Sequence, residues 1–257
     1  MAARSSRSRP PDSTTLPTGP AEAAAPDSGA AKEESPDYVG HRGRLRKRLL
    51  DGGPAALADH ELLEFLLYAA IPQRDTKPLA YALIKRFGSF SGVLGADRSS
   101  LAQVPGIKDA SVAALLSVRE AGLRMHRAQV QDRNVISSWQ QLLDYFTARV
   151  GYAEAEEFHL LFLDRKNSLI ADEKQQRGTI DHVPVYPREV VKRALELGAS
   201  AIIMVHNHPS GDTTPSKGDV EMTRAVQKAL QSVGLQIHDH VVIGRGRHSS
   251  FKSLGLL

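Results

Sequence analysis

The sequence predicts an α/β protein: an α/β sandwich built on a mixed sheet, preceded by a small all-α domain. Three observations lead there. From residue 135 to residue 257, apolar runs of strand length alternate with amphipathic runs of helix length. Between residues 38 and 130 the periodic segments read as helices. Residues 1–37 are dominated by Ala, Pro, Ser, Thr and Gly, with almost no large apolar side chains to offset the entropy of ordering, and are expected to form a disordered tail. A chain of 257 residues, 41% of them hydrophobic, has room for two cores of this kind. The polar stretch Gln131-Asp132-Arg133-Asn134 is the expected boundary between them.

The all-α part begins with His41-Arg42-Gly43-Arg44-Leu45-Arg46-Lys47-Arg48-Leu49-Leu50, whose leucines recur at helical spacing. Its charges read either as a solvated helix face or as a phosphate-facing patch made by Arg42, Arg44, Arg46, Lys47 and Arg48. Asp59 can cap an amphipathic helix continuing to Tyr68. The next helix passes through Leu79, Leu83 and Ile84 to Phe87 and stops at Gly88. Leu101 to Leu116 resembles the hairpin of a helix-hairpin-helix module, whose tight glycine turn presents backbone N–H groups to a phosphate. Gly106 would be that glycine. Lys108 stands where such hairpins usually carry a second glycine, and either adds a phosphate contact or marks a turn that no longer binds. A long helix should then run from Asp109 to about Gln129.

Ser138 caps the helix opening the second part, with Trp139 as a packing anchor. Phe158–Leu163 reads as a strand, Asp164–Ser168 as a turn and Leu169 onward as a second strand. Arg188–Leu197 reads as a helix ended by Gly198, Ala201–Val205 as a buried strand, and Ser216–Val233 as a helix ended by Gly234. On that last helix Met222, Val226, Ala229, Leu230 and Val233 share a face. Ile237–Ile243 closes the pattern as a strand.

With 33 Lys+Arg against 29 Asp+Glu and a pI near 9.3, the chain is mildly basic, which suits DNA as a partner of the N-terminal module. The absence of cysteine excludes disulfides and thiolate metal sites and fits a reducing, cytoplasmic compartment. The longest apolar runs, such as Leu62–Ile71, are interrupted by Glu64 and too short to cross a bilayer, so no membrane partner is expected. The Arg- and Ser-containing start lacks the apolar segment of a leader.

The chemistry concentrates in His206-Asn207-His208-Pro209-Ser210-Gly211-Asp212-Thr213-Thr214-Pro215-Ser216-Lys217-Gly218-Asp219. A strand points residues two apart to one side, so His206 and His208 can aim at one point. The Pro- and Gly-containing loop leads to Ser216 at a helix N-cap, which puts Asp219 in the first turn and lets it fold back toward the histidines. Two imidazoles and one carboxylate are three ligands for Zn2+, and leave a fourth position for water, as in catalytic sites. The competing reading is a capping box that merely follows a strand ending in His-x-His. Asp212 is a rival ligand, less well spaced than Asp219. His238 and His240, on an apolar strand with no further ligand beside them, read as structural. Glu154, Glu156, Glu157 and Glu173 are candidates for proton transfer, and spacing does not choose among them.

The motif His-x-His, seven residues, Ser-x-x-Asp resembles that of the JAMM/MPN zinc metalloprotease-like domains, and its wording resembles the RadC (UPF0758) branch. The resemblance covers about Tyr38 to Leu257. It implies a deaminase-like α/β sandwich and a zinc-dependent hydrolase acting on peptide or isopeptide bonds of a protein or peptide substrate. It implies catalytic roles for Glu157, just ahead of the first strand, as acid/base, and for Ser216 as hydrogen-bond donor to the oxyanion. The alternative is a DNA-associated binding protein in which zinc holds the fold; a zinc nuclease stands third, because single-zinc chemistry beside one glutamate suits acyl transfer better. Neither the natural substrate nor the oligomeric state is fixed by these residues.

Overall fold

Ala201-Ile202-Ile203-Met204-Val205-His206-Asn207 forms a strand buried at every position, and a strand covered on both faces belongs in the middle of a sheet. It is β3, the central strand of five in the order β2-β1-β3-β4-β5, with β1 at Glu157–Leu163, β2 at Leu169–Arg177, β4 at Gln236–Gly244 and β5 at Arg247–Ser250. The computed structural model describes residues 37–130, 134–135, 137–177 and 185–257. The expected tail, apart from Asp37, and Gln131–Arg133 of the expected linker lie outside the described residues.

Pairing is antiparallel between β1 and β2, β1 and β3, and β4 and β5, and parallel between β3 and β4, so the sheet is mixed as expected. The parallel pair is bridged by helix α9 (Lys217–Gln231), since a parallel neighbour requires a crossover. Alternation along the strands divides the core. Leu161, Leu163, Ile203, Val205, Val241 and Ile243 pack on one side with helix α7 (Trp139–Val150). On the other side Phe158, Leu160, Phe162, Ile202 and Met204 meet helix α8 (Pro187–Glu196) and α9. The result is the predicted α/β sandwich.

Strand β5 departs from the sequence reading, which closes the sheet at Ile243. Gly246, at φ 70°, makes the tight turn after Gly244 that folds the chain back as an edge strand. The opposite hairpin turns at Asn167, φ 61°, where the Asp164 carboxylate accepts from the N–H groups of Lys166 and Ser168 at 2.7 and 2.8 Å. Val233, expected on the buried face of α9, lies beyond the helix end and is 42% exposed, because Gly234 at φ 76° turns the chain away.

Ahead of the sheet lie α1 (Asp37–Gly52), α2 (Asp59–Tyr68), α3 (Lys77–Phe87), α4 (Phe90–Gly95), α5 (Arg98–Ala102) and α6 (Asp109–Val130). Leu63, Leu67, Leu83, Val93, Leu101, Val112 and Leu115 form their core. The short α4 and α5 escape periodicity analysis, and are defined by Ser89 and Asp97, whose side chains accept from the N–H groups of Gly92 and Ser100. Two expected caps differ. Asp59 is the first helical residue, while Glu61 reaches back to the Ala58 N–H at 2.9 Å; Ser138 donates its hydroxyl to the Asn134 carbonyl at 3.0 Å. Helix α6 joins the two parts: Val130 at its end belongs to the α7 core, and Arg119 donates to the Arg149 carbonyl at 2.9 Å.

In the basic segment Arg44, Arg46, Lys47 and Arg48 lie exposed on α1, and Arg42 differs from them. Arg42 turns inward, donating to the carbonyls of Pro72 at 2.5 Å, Ile71 at 2.6 Å and Arg74, with its guanidinium 4.4 Å from the Tyr68 ring centre. Lys47 pairs with Asp51 and Arg48 with Glu61. Arg44, Arg46 and Lys108 are exposed, and Gly106, at φ 92°, makes the turn between α5 and α6. The five side chains therefore do not form one outward patch: Arg42 ties α1 to the segment after α2. Arg42→Ala should lower unfolding free energy by about 2 kcal/mol, because charged hydrogen bonds to three backbone carbonyls are lost, whereas Arg46→Ala should change it by less than ~0.5 kcal/mol; denaturant unfolding of the two variants makes the comparison.

Candidate metal centre

His206 is the penultimate residue of β3 and His208 follows the strand directly. The His208 N–H donates to the Ile243 carbonyl at 2.9 Å, prolonging the β3–β4 register past the strand end and keeping both imidazoles on the α9 side. Their Nε2 atoms lie 3.0 Å apart. Gly211, at φ 87°, turns the following loop, and the Asp212 carbonyl accepts from His208 Nδ1 at 2.7 Å. Asp212 thus contributes its backbone, while its carboxylate accepts from the Thr214 N–H at 3.0 Å and does not join the histidines.

Asp219 is brought in by the capping box. Ser216 Oγ accepts from the Asp219 N–H at 3.1 Å, and Asp219 Oδ2 accepts from the Ser216 N–H and hydroxyl, each at 2.7 Å. Its carboxylate also faces the imidazoles, with Oδ1 at 3.4 Å from His206 Nε2 and Oδ2 at 3.5 Å from His208 Nε2. Among the described residues, one group of three or more candidate ligands converges in this way, and it is His206, His208 and Asp219. Burial alone would push the Asp219 carboxyl up, but the two imidazoles and Ser216 hold it far below the usual carboxylate range. The hydrogen bond to Asp219 raises His208 against the opposing effect of burial.

Behind the histidines sits His240, fully buried, with Nε2 2.8 Å from His206 Nδ1 and its ring 4.4 Å from that of Phe251. Its other nitrogen is 2.7 Å from Thr223 Oγ1. Sequence reading sets His240 aside because no ligand partner stands near it in the chain; the parallel β3–β4 pairing supplies that neighbour from 34 positions away. His238 points instead to Asn167, 2.6 Å away, in the β1–β2 turn.

The two adjacent glutamates part company. Phe158, the cross-strand partner of His206, stacks against its ring at 5.7 Å, so even-numbered residues of β1 face the metal-ligand side. Glu157 points the other way. One carboxylate oxygen lies 2.7 Å from Lys174 Nζ and 3.6 Å from His159 Nε2. Burial opposes its ionisation, yet His159 and Lys174 prevail and hold it at about 2. The Glu157 carboxylate is thus paired with Lys174 and His159, on the α7 side of the sheet. Glu156, the preceding residue, is 9% exposed, and its negative charge acts on His208. Asn207 brackets it: the side-chain carbonyl accepts from the Glu157 N–H at 2.8 Å and the amide donates to the Ala155 carbonyl at 3.2 Å.

The far face carries a network that sequence reading misses. His159, wholly buried, lies 3.3 Å from Asp172 Oδ1, while Asp172 Oδ2 accepts from the Tyr145 hydroxyl at 2.9 Å and from Arg149. The available signal is His159 itself, a polar residue in an otherwise apolar strand that must find partners once buried.

A mixed sheet clad by helices on both faces, with His-x-His at the end of its central strand and an aspartate in the first turn of the next helix, defines a RadC-like JAB domain, a JAMM-type metal-dependent hydrolase fold. The RadC-like JAB domain family matches residues 136–256, and the UPF0758 N-terminal family matches residues 39–113. The UPF0758 protein SPO0054 of Ruegeria pomeroyi is 52% identical over 223 residues, spanning 86% of this chain and all of the relative. A UPF0758 protein of Rhodobacter capsulatus is 55% identical over 213 residues, 83% of this chain and again all of the relative. The chain belongs to the UPF0758 family. Among the described residues no helix is long and apolar enough to cross a membrane.

Glu157→Gln should cost stability. Its folded-state pKa, about 2, lies below the ordinary 4.5, so the stabilisation is complete above about pH 4.5 and is lost as pH falls toward 2. The variant should be less stable by about 2–3 kcal/mol at pH 7, with the gap to wild type narrowing below pH 4.5. Urea unfolding across that range reads both values, and a gap independent of pH would exclude the ion-pair account.

Proposed function

We propose that this protein is a zinc-dependent hydrolase of peptide or isopeptide bonds in a protein or peptide substrate. The observation that carries the reading is the convergence of His206 Nε2, His208 Nε2 and an Asp219 carboxylate, each within 4.8 Å of the others. The donor set fits zinc: two imidazoles and one carboxylate, with no thiolate, are the three protein ligands characteristic of a catalytic ion. The Asp212 carbonyl accepts from His208 Nδ1–H, so a neutral His208 offers its Nε2 lone pair to a cation in place of the hydrogen bond to Asp219. Bound there, zinc supplies Lewis acidity, polarising a carbonyl and making water acidic near neutral pH.

The remaining steps belong to the chain. Hydrolysis of an amide needs a group that removes a proton from the attacking water and returns one to the departing nitrogen. Glu156 takes this role: it is buried, lies on the approach to β1 and acts electrostatically on His208. Asn207 holds the backbone on both sides of it. Ser216 is exposed, and its hydroxyl reaches a developing oxyanion by giving up its hydrogen bond to Asp219 Oδ2, the Ser216 N–H keeping that carboxylate in place.

Purified protein should carry close to one zinc per chain, and the His206→Ala, His208→Ala double variant should carry none; stoichiometric zinc in that variant, measured by atomic emission, would remove the assignment. Glu156→Gln should retain zinc and lose at least about a hundredfold in hydrolysis of a substrate trapped from lysate, as expected for loss of a positioned acid/base. Glu157→Gln should keep activity within about threefold under conditions where it stays folded. The reverse ranking of the two glutamine variants would reject the placement of the acid/base on the His206 face.

A further inference from the structure

A closed ring of hydrogen bonds lies behind the three converging side chains. It starts at the Asp219 carbonyl, passes to Thr223 Oγ1 at 2.6 Å, to His240 Nδ1 at 2.7 Å, and from His240 Nε2 to His206 Nδ1 at 2.8 Å. His206 Nε2 then faces the Asp219 carboxylate again at 3.4 Å. Thr223 is 1% exposed and both histidines 0%, so no solvent water competes for these partners.

The hydrogens in this ring can be assigned from chemistry alone. A carbonyl oxygen only accepts, so the single hydrogen of Thr223 must go to Asp219 O. With that hydrogen spent, Thr223 Oγ1 can only accept from His240 Nδ1, which must therefore be protonated. Burial among Phe158, Phe251 and the strands opposes a second proton on His240. Its Nε2 is left with a lone pair, and accepts from His206 Nδ1–H. The hydrogen of His206 is thereby fixed on Nδ1, and its Nε2 lone pair points at His208 and Asp219. A helical threonine that back-bonds four residues earlier is common. One whose remaining lone pair selects the tautomer of a buried imidazole has a consequence two side chains away.

We infer that Thr223 and His240 are positioning residues that lock His206 in the tautomer able to bind a cation through Nε2. Asp219 acts at both ends, its carbonyl setting the direction of the relay and its carboxylate meeting the lone pair the relay exposes. The inference rests on the zinc reading above for its purpose; the hydrogen assignment stands independently of it.

The test uses full-length protein. Zinc affinity, from competition with a chromophoric chelator, should fall about 10- to 100-fold in Thr223→Val, which keeps the shape but frees His240 to take the opposite tautomer, and should stay within about threefold of wild type in Thr223→Ser. Thr223→Val with wild-type affinity would overturn the proposal. Should Thr223→Val fail to fold, long-range proton–nitrogen correlation spectra of zinc-free wild type at pH 8 decide: the relay requires the His240 proton on Nδ1, and finding it on Nε2 overturns the relay. Failure of wild type to bind zinc at all would remove the zinc reading, and the spectrum would still judge the hydrogen assignment.

Discussion

The carboxylate of Asp219 is the constraint on which the site depends. One group satisfies the N-terminus of α9 by accepting from Ser216, and at the same distance range faces both imidazoles of the His-x-His pair. Capping fixes the helix, and the helix fixes the direction of the carboxylate. The helix N-terminus adds its own preference for a negative charge in the first turn. The loop from His208 to Pro215 has then only to span the gap, which it does with Gly211 in the left-handed region and the Asp212 carbonyl turned to His208. Close packing enforces the loop: a Cβ on Gly244 would lie 2.6 Å from the Gly211 carbonyl oxygen, so the end of β4 and this loop touch backbone to backbone.

The sheet separates two polar networks. On the α9 side, His206, His208 and Asp219 converge, with His240 and Thr223 behind them. On the α7 side, Glu157, His159, Lys174, Asp172, Tyr145 and Arg149 form an ion-paired cluster with no shared solvent-facing focus. Tyr145 is pushed up to about 12 by burial and by Asp172, and stays a hydrogen-bond donor across the physiological range. The cluster ties α7 to β1 and β2. Asn207 connects the two sides: it is part of β3, between the paired histidines, and its amide grips the backbone at Ala155 and Glu157.

The helical part meets the sheet through α6 and α7, and one of its basic residues is used to hold the helices together. Arg42 is that residue, with three of its N–H groups on the carbonyls of Ile71, Pro72 and Arg74 and its guanidinium over the Tyr68 ring.

Much of this was legible in the sequence. The strand ending in His206-Asn207-His208, the Ser216 cap and the return of Asp219 follow from two short-range rules, the two-residue period of a strand and the reach of a capping box, and both act within 14 consecutive residues. The mixed sheet and its covering helices follow from periodicity in the same way. Tertiary structure alone decided what depended on strand neighbours. That Phe158 stacks on His206 while Glu157 pairs with Lys174 turns on the register of β1 against its neighbours, where one residue of shift exchanges the faces. The partnership of His240 with His206 spans 34 residues and exists because β4 lies parallel to β3. The inward turn of Arg42 depends on where the chain after α2 passes, and no local pattern in a run of arginines and leucines encodes that path.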